Sequence, residues 1–123
     1  MKEQIKSSGD LVFLNDFSGE YIKIQDGRRL NCRLNRCPSK RVLVFGGSTI
    51  FCAEVPDSMT ISSELQKMTL DRKIETDVVN YGIPGIRIEN QFKILQTVDD
   101  LGPRDLVIFY DGVNDLNTIS DWT

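Results

Sequence analysis

Residues 41–49, RVLVFGGST, decide how this chain folds. Val42, Leu43, Val44 and Phe45 run without a polar break into Gly46, Gly47, Ser48 and Thr49. A short run of β-branched and aromatic residues closed by Gly-Gly reads as a strand buried on both faces, the kind found inside a parallel sheet. Ser48 then stands at the carboxyl edge of a central strand. That edge is where open α/β sheets gather the loops that face a common crevice. Residues 76–82 (TDVVNYG) and 105–112 (DLVIFYDG) close in the same way, each a β-rich run ending in glycine.

The intervals between these runs predict the crossovers. Ser58 or Thr60 can cap a helix that carries Ile61, Leu65, Met68 and Leu70 at helical spacing. Ile88, Phe92, Leu95 and Val98 form a second stripe, on a helix expected to stop at Gly102-Pro103. Between the two, Gly82-Ile83-Pro84-Gly85 reads as a turn. Two strand–helix–strand units in succession imply parallel pairing in the order 2-1-3, with the Ser48 strand in the centre. The expected class is α/β, a three-layer flavodoxin-like parallel sheet. Residues 41–123 would form this unit and residues 1–40 an N-terminal segment with a β-hairpin laid against it. In that segment, residues 1–10 read as a frayed lead-in and Leu11 begins an apolar stretch. Asp26-Gly27 between two strand-like runs is a strong hairpin signal. On its second arm, Leu30, Cys32 and Leu34 are expected to face inward, with Arg29, Asn31 and Arg33 outward.

Composition limits the chemistry. The 123 residues carry 15 basic and 18 acidic side chains, a net charge of −3, and the basic residues form no stripe, which argues against nucleic acid. No apolar run approaches membrane-spanning length and the first ten residues do not resemble a signal peptide, so a cytoplasmic protein that does not engage membranes is expected. Cys32, Cys37 and Cys52 lack CxxC spacing and read as reduced thiols, with no metal site. One absence weighs more. There is no histidine, the usual general base for an activated serine.

Acyl transfer requires a hydroxyl nucleophile and hydrogen-bond donors aimed where the tetrahedral intermediate carries charge. The first predicted edge offers the Ser48 hydroxyl and N–H, the second the Gly82 N–H, and the third the Asn114 carboxamide. This pattern resembles the SGNH hydrolases, or GDSL-type esterases. Phe45-Gly46-Gly47-Ser48-Thr49 is similar to their serine block, residues 80–85 (NYGIPG) to the glycine block, and Gly112-Val113-Asn114-Asp115 to the asparagine block. The resemblance covers about residues 41–116. It implies Ser48 as nucleophile, with the Ser48 N–H, the Gly82 N–H and the Asn114 side chain forming the oxyanion hole. It also implies ester hydrolysis or O-acyl transfer on a small-molecule or carbohydrate ester, with no cofactor.

The chain departs from that family in lacking an Asp-x-x-His block. A truncated reading frame or expressed fragment is the expected reason, with Trp122 as core material for the absent half and an unpaired sheet edge inviting self-association. Losing a triad member costs on the order of 10⁴ to 10⁶ in rate. The chain alone is therefore expected to be a weak esterase or none, and Asp111 and Asp115 are poor substitutes for the base. Two rival classes remain at this stage. One is a non-catalytic binding protein on the same scaffold. The other is a flavodoxin-like nucleotide-binding module, against which the absence of GxGxxG and GxxxxGK[ST] counts.

Overall fold

The computed structural model describes residues 5–8, 11–31, 40–99, 101–111 and 116. In chain order the strands are β1 (Ile5–Ser8), β2 (Leu11–Leu14), β3 (Phe17–Ser18), β4 (Lys23–Gln25), β5 (Arg28–Arg29) and β6 (Arg41–Gly46). A one-turn helix α1 (Ser48–Phe51) and a 3-10 turn (Asp57–Met59) lead into helix α2 (Ile61–Asp71). Strand β7 (Asp77–Gly82), helix α3 (Ile88–Leu95) and strand β8 (Leu106–Tyr110) complete the described elements.

Six strands form one mixed sheet in the order β3-β4-β5-β7-β6-β8. β6 lies between β7 and β8 and pairs with both in parallel, with Gly46 level with Gly82 on one side and Tyr110 on the other. The three glycine-ended runs thus end at a common height. β3, β4 and β5 are antiparallel to one another, and β5 joins β7 through the pair Arg29 and Asn80. The hairpin therefore extends the sheet, where the sequence suggested a body laid against it. Asp26 and Gly27 at its tip have φ of 53° and 75°, the two left-handed positions of a type I′ turn. Residues 5–8, expected to be lead-in, pair with β2 as a separate two-stranded ribbon.

Side chains alternate along β6, so its two faces have different neighbours. Leu43 and Phe45 pack with Leu14 of β2, Ile83, Ile86 and Ile94 of α3, whereas Val44 packs with Ile50 and Val78, flanked by Leu65 of α2. Phe45 is stacked between two cross-strand neighbours. Its ring lies 4.7 Å from Tyr81 and 5.2 Å from Phe109, and Phe109 in turn meets Phe92 of α3 at 5.1 Å.

Thr60 is the cap of α2, its hydroxyl accepting from the Ser63 N–H at 3.1 Å. The buried face of that helix is not the expected apolar stripe: Ile61 and Met68 are exposed, and Ser62, Ser63, Gln66 and Thr69 are buried. The reason lies on β7. Among the described residues no strand pairs with its outer edge at Val78, since β5 meets β7 only at Asn80. Gln66 takes that place, accepting from the Val78 N–H at 2.8 Å and donating to the Thr76 carbonyl at 3.0 Å. Buried backbone groups require partners, and here a helix glutamine provides two of them. Helix α3 stops at Leu95, short of Gly102-Pro103, where Thr97 closes the last turn on the Ile94 carbonyl through both its N–H and its hydroxyl. Among the described residues no helix is long and apolar enough to cross a membrane.

At the opposite end of the sheet, Asp105 ties the start of β6 to the start of β8. Its carboxylate accepts from the Arg41 N–H at 2.8 Å, the Arg41 guanidinium at 3.0 Å and the Gly102 N–H at 2.9 Å. The Arg41 side chain first, and then the Gly102 N–H, hold its pKa below the ordinary carboxylate value. A depressed folded-state pKa contributes stability above the unfolded value of about 4, and that contribution is lost as pH falls through the depressed value. Urea midpoints measured from neutral pH downward should therefore fall more steeply for the parent than for Asp105→Asn. The gap between the two should narrow below about pH 4.

Candidate active site

The chain leaves β6 at Gly46 and turns into α1 through Gly47, which caps the helix without a side chain. Ser48 is the first helical residue and is exposed. The first N–H groups of a helix have no partner within it. Among the described residues neither the Ser48 hydroxyl nor its N–H has a hydrogen-bond partner, which leaves both available to a ligand.

A single helical turn is not stable alone. The tight approach of α1 to the sheet and the capture of its carbonyls hold this one. A Cβ on Gly82 would lie 2.4 Å from the Phe51 nitrogen and 2.8 Å from the Ile50 carbonyl carbon. One on Gly46 would lie 2.4 Å from Ile50 Cγ1 and 2.8 Å from the Tyr110 oxygen. Both strands must therefore end in glycine for α1 to sit where it does. At the far end of the turn, Asn80 Nδ2 donates to the Ile50 carbonyl at 3.0 Å. The Arg29 guanidinium donates to the carbonyls of Phe51, Cys52 and Val55, and its Nε bonds Asp57 at 3.0 Å. Arg29 and Asn80, which face each other across β5 and β7, are both fully buried.

The second edge is more occupied than its sequence suggests. The Gly82 N–H, expected to face a bound oxygen, donates to Asn80 Oδ1 at 2.8 Å, and Gly82 is buried beneath α1. The following four residues, Ile83 to Ile86, form a type II turn with Pro84 second and Gly85 third. The Ile86 N–H bonds the Ile83 carbonyl, and Gly85 has φ of 77°. Gly85 is exposed, has nothing within 4 Å of a Cβ position, and among the described residues its N–H has no hydrogen-bond partner. At the third edge, exposed Asp111 accepts from Nε2 of Gln91, a fully buried residue of α3. Asn114, with Gly112 and Asp115, lies outside the described residues.

Ser48, Gly82 and Asp111 thus leave adjacent, level strand ends. Cys52, close behind Ser48, is no rival nucleophile: burial first, and then the Glu54 carboxylate, push its thiol up, so it is protonated at neutral pH. Arg29 and Asn80 are the residues that the sequence reading left without a role. Alternation placed Arg29 on the outer face, but β5 is only two residues long and its second side chain turns inward to four acceptors. The signal for Asn80 was present: a carboxamide near the end of an otherwise apolar strand must find buried partners.

Among solved structures the chain is similar to AlinE4, a SGNH-hydrolase family esterase, with a TM-score of 0.54 and 21% identity over 68% of this chain and 46% of that one. Two point mutants of the same esterase match with the same TM-score and coverage, at 21% and 20% identity. The chain thus spans less than half the length of these structures. At this identity the likeness is one of fold, and it places the mixed α/β sheet with its helices beside SGNH-hydrolase structures. No protein-family model matches the sequence, and no curated protein matches it.

Proposed function

We propose that this chain carries the nucleophile side of an SGNH-type acyl-ester hydrolase or O-acyltransferase, acting on a small-molecule or carbohydrate ester. Ser48 attacks the ester carbonyl, and its own N–H stabilises the resulting oxyanion. The second edge contributes through the turn that Gly82 opens. Because the Gly82 N–H is bound to Asn80, the Gly85 N–H is the donor available there. Asn114, three residues beyond Asp111, supplies the carboxamide from the third edge. The observation that carries this reading is the level ending of three adjacent parallel strands, with a serine leaving the central one whose hydroxyl has no partner among the described residues.

A second reading has its own observation in favour. These 123 residues contain no histidine to take the Ser48 proton, as a binding protein on an esterase scaffold would not need one. A fluorophosphonate probe separates the two readings. Intact mass and peptide mapping should show one adduct, at Ser48, forming on the order of 10⁴ times more slowly than in an enzyme with its full triad. Ser48→Ala should take up none. A parent chain that stays unmodified, or is modified elsewhere, would leave the binding reading in place.

A further inference from the structure

We infer that Arg29 is a positioning residue for Ser48, a role that rests on the acyl-transfer reading above. The two are about three residues apart through α1, because the carbonyls that Arg29 holds are those of the last helical residue Phe51, of Cys52 and of Val55. At 1.5 Å rise per residue, Phe51 is only about 4.5 Å along the axis from Ser48. The Cys52 N–H returns to the Ser48 carbonyl at 2.7 Å, so the two ends of the turn are directly joined. A shift of the held end is carried to the serine.

Burial alone does not explain an arginine here. Buried ion pairs are often replaced by apolar residues without loss of stability, so packing could have been served by a hydrophobic side chain. What an apolar residue or a lysine cannot do is hold three carbonyls and a carboxylate from one rigid planar fork. Among the described residues the Phe51 and Val55 carbonyls have no other donor, and the Cys52 carbonyl has besides the arginine only the Val55 N–H at 3.4 Å, because α1 ends too soon to use them. The guanidinium also sits 5.3 Å from the centre of the Phe51 ring, which fixes it against the same turn. Its base is fixed as well, since β5 is bonded to β7 opposite Asn80, whose own side chain holds the Ile50 carbonyl. Sheet, arginine and asparagine together fix all the carbonyls from Ile50 to Cys52.

The test uses Arg29→Lys in the full chain, with fluorophosphonate labelling at several probe concentrations and amide hydrogen exchange read over residues 48–52. Arg87→Ala, which breaks only an exposed pair with Glu89, is the control. At saturating probe, Arg29→Lys should label about tenfold to a hundredfold more slowly. Half-saturation should stay within about twofold of the parent, since probe binding does not involve the arginine. Exchange over 48–52 should accelerate while circular dichroism stays unchanged. A folded Arg29→Lys that labels and exchanges like the parent overturns the inference. Should Arg29→Lys fail to fold, Asp57→Asn, which removes only the charge that orients the fork, is judged by the same two readouts. A parent that takes no label at Ser48 ends the acyl-transfer reading. Exchange then decides alone whether Arg29 holds the turn, with unchanged protection counting against it.

Discussion

Gly82→Ala is expected to destabilise the fold by about 3 kcal/mol, at the upper end of what overpacking costs. The added carbon would meet the Phe51 nitrogen at 2.4 Å and the Ile50 carbonyl carbon at 2.8 Å. These are backbone atoms that cannot rotate away. Nor can α1 retreat as a unit, because Asn80 and Arg29 hold its carbonyls from the sheet side. Gly85→Ala, three residues on, provides the contrast. Its methyl would enter open space, so only the left-handed backbone penalty of about 1 kcal/mol applies. Urea unfolding of the two variants beside the parent checks the prediction. Equal losses would mean that α1 can move off the strand ends.

That contrast also shows what the sequence could and could not convey. Glycine after an apolar run marks a strand end, and all three parallel strands were legible from it. Asp26-Gly27 and Pro84-Gly85 were legible for the same local reason, since few residues adopt the angles those turns require. The parallel sense of those three strands followed from the helical stretches between them. The partners of polar side chains did not. Gln66 sits between Leu65 and Lys67 on a helix whose apolar residues set the expected face, yet it turns inward to the backbone of a distant strand, at Val78 and Thr76. The need belongs to Val78 and Thr76, twelve and ten residues away, and no periodicity within α2 reports it. The pairing of residues 5–8 with β2 is of the same kind, because strand propensity is weak when the pairing partner is unknown.

At the candidate site the legible part was the placement of the three edges. Ser48 could be located because it follows the strand directly. The Gly82 N–H could not be assigned, because the side chain two residues back, Asn80 Oδ1, competes for it. Asn114 lies outside the described residues and stays a proposal. The supports behind the site were hidden for a further reason. Alternation assigns a charged residue to the solvent face by default, and only three-dimensional packing shows four acceptors waiting on the other side.

Arg29→Met is the second large effect expected, a loss of about 3 to 5 kcal/mol. The guanidinium is fully buried, while the Asp57 side chain is 16% exposed. Removing the arginine leaves that carboxylate poorly solvated, strands the Phe51 and Val55 carbonyls, which have no other donor among the described residues, and leaves the Cys52 carbonyl with only the Val55 N–H at 3.4 Å. The size of the loss thus reflects the unpaired partners more than the bond itself, and this can be separated experimentally. Arg29→Met combined with Asp57→Asn should recover about 1 to 2 kcal/mol of the loss, because the stranded charge is gone. The remainder is the cost of the carbonyls of Phe51, Cys52 and Val55, which no change at Asp57 can repair. If the double variant were no more stable than Arg29→Met alone, the carbonyls would account for the whole effect. The ion pair would then be incidental, and the arginine would be retained for its geometry, the property on which the alignment of Ser48 depends.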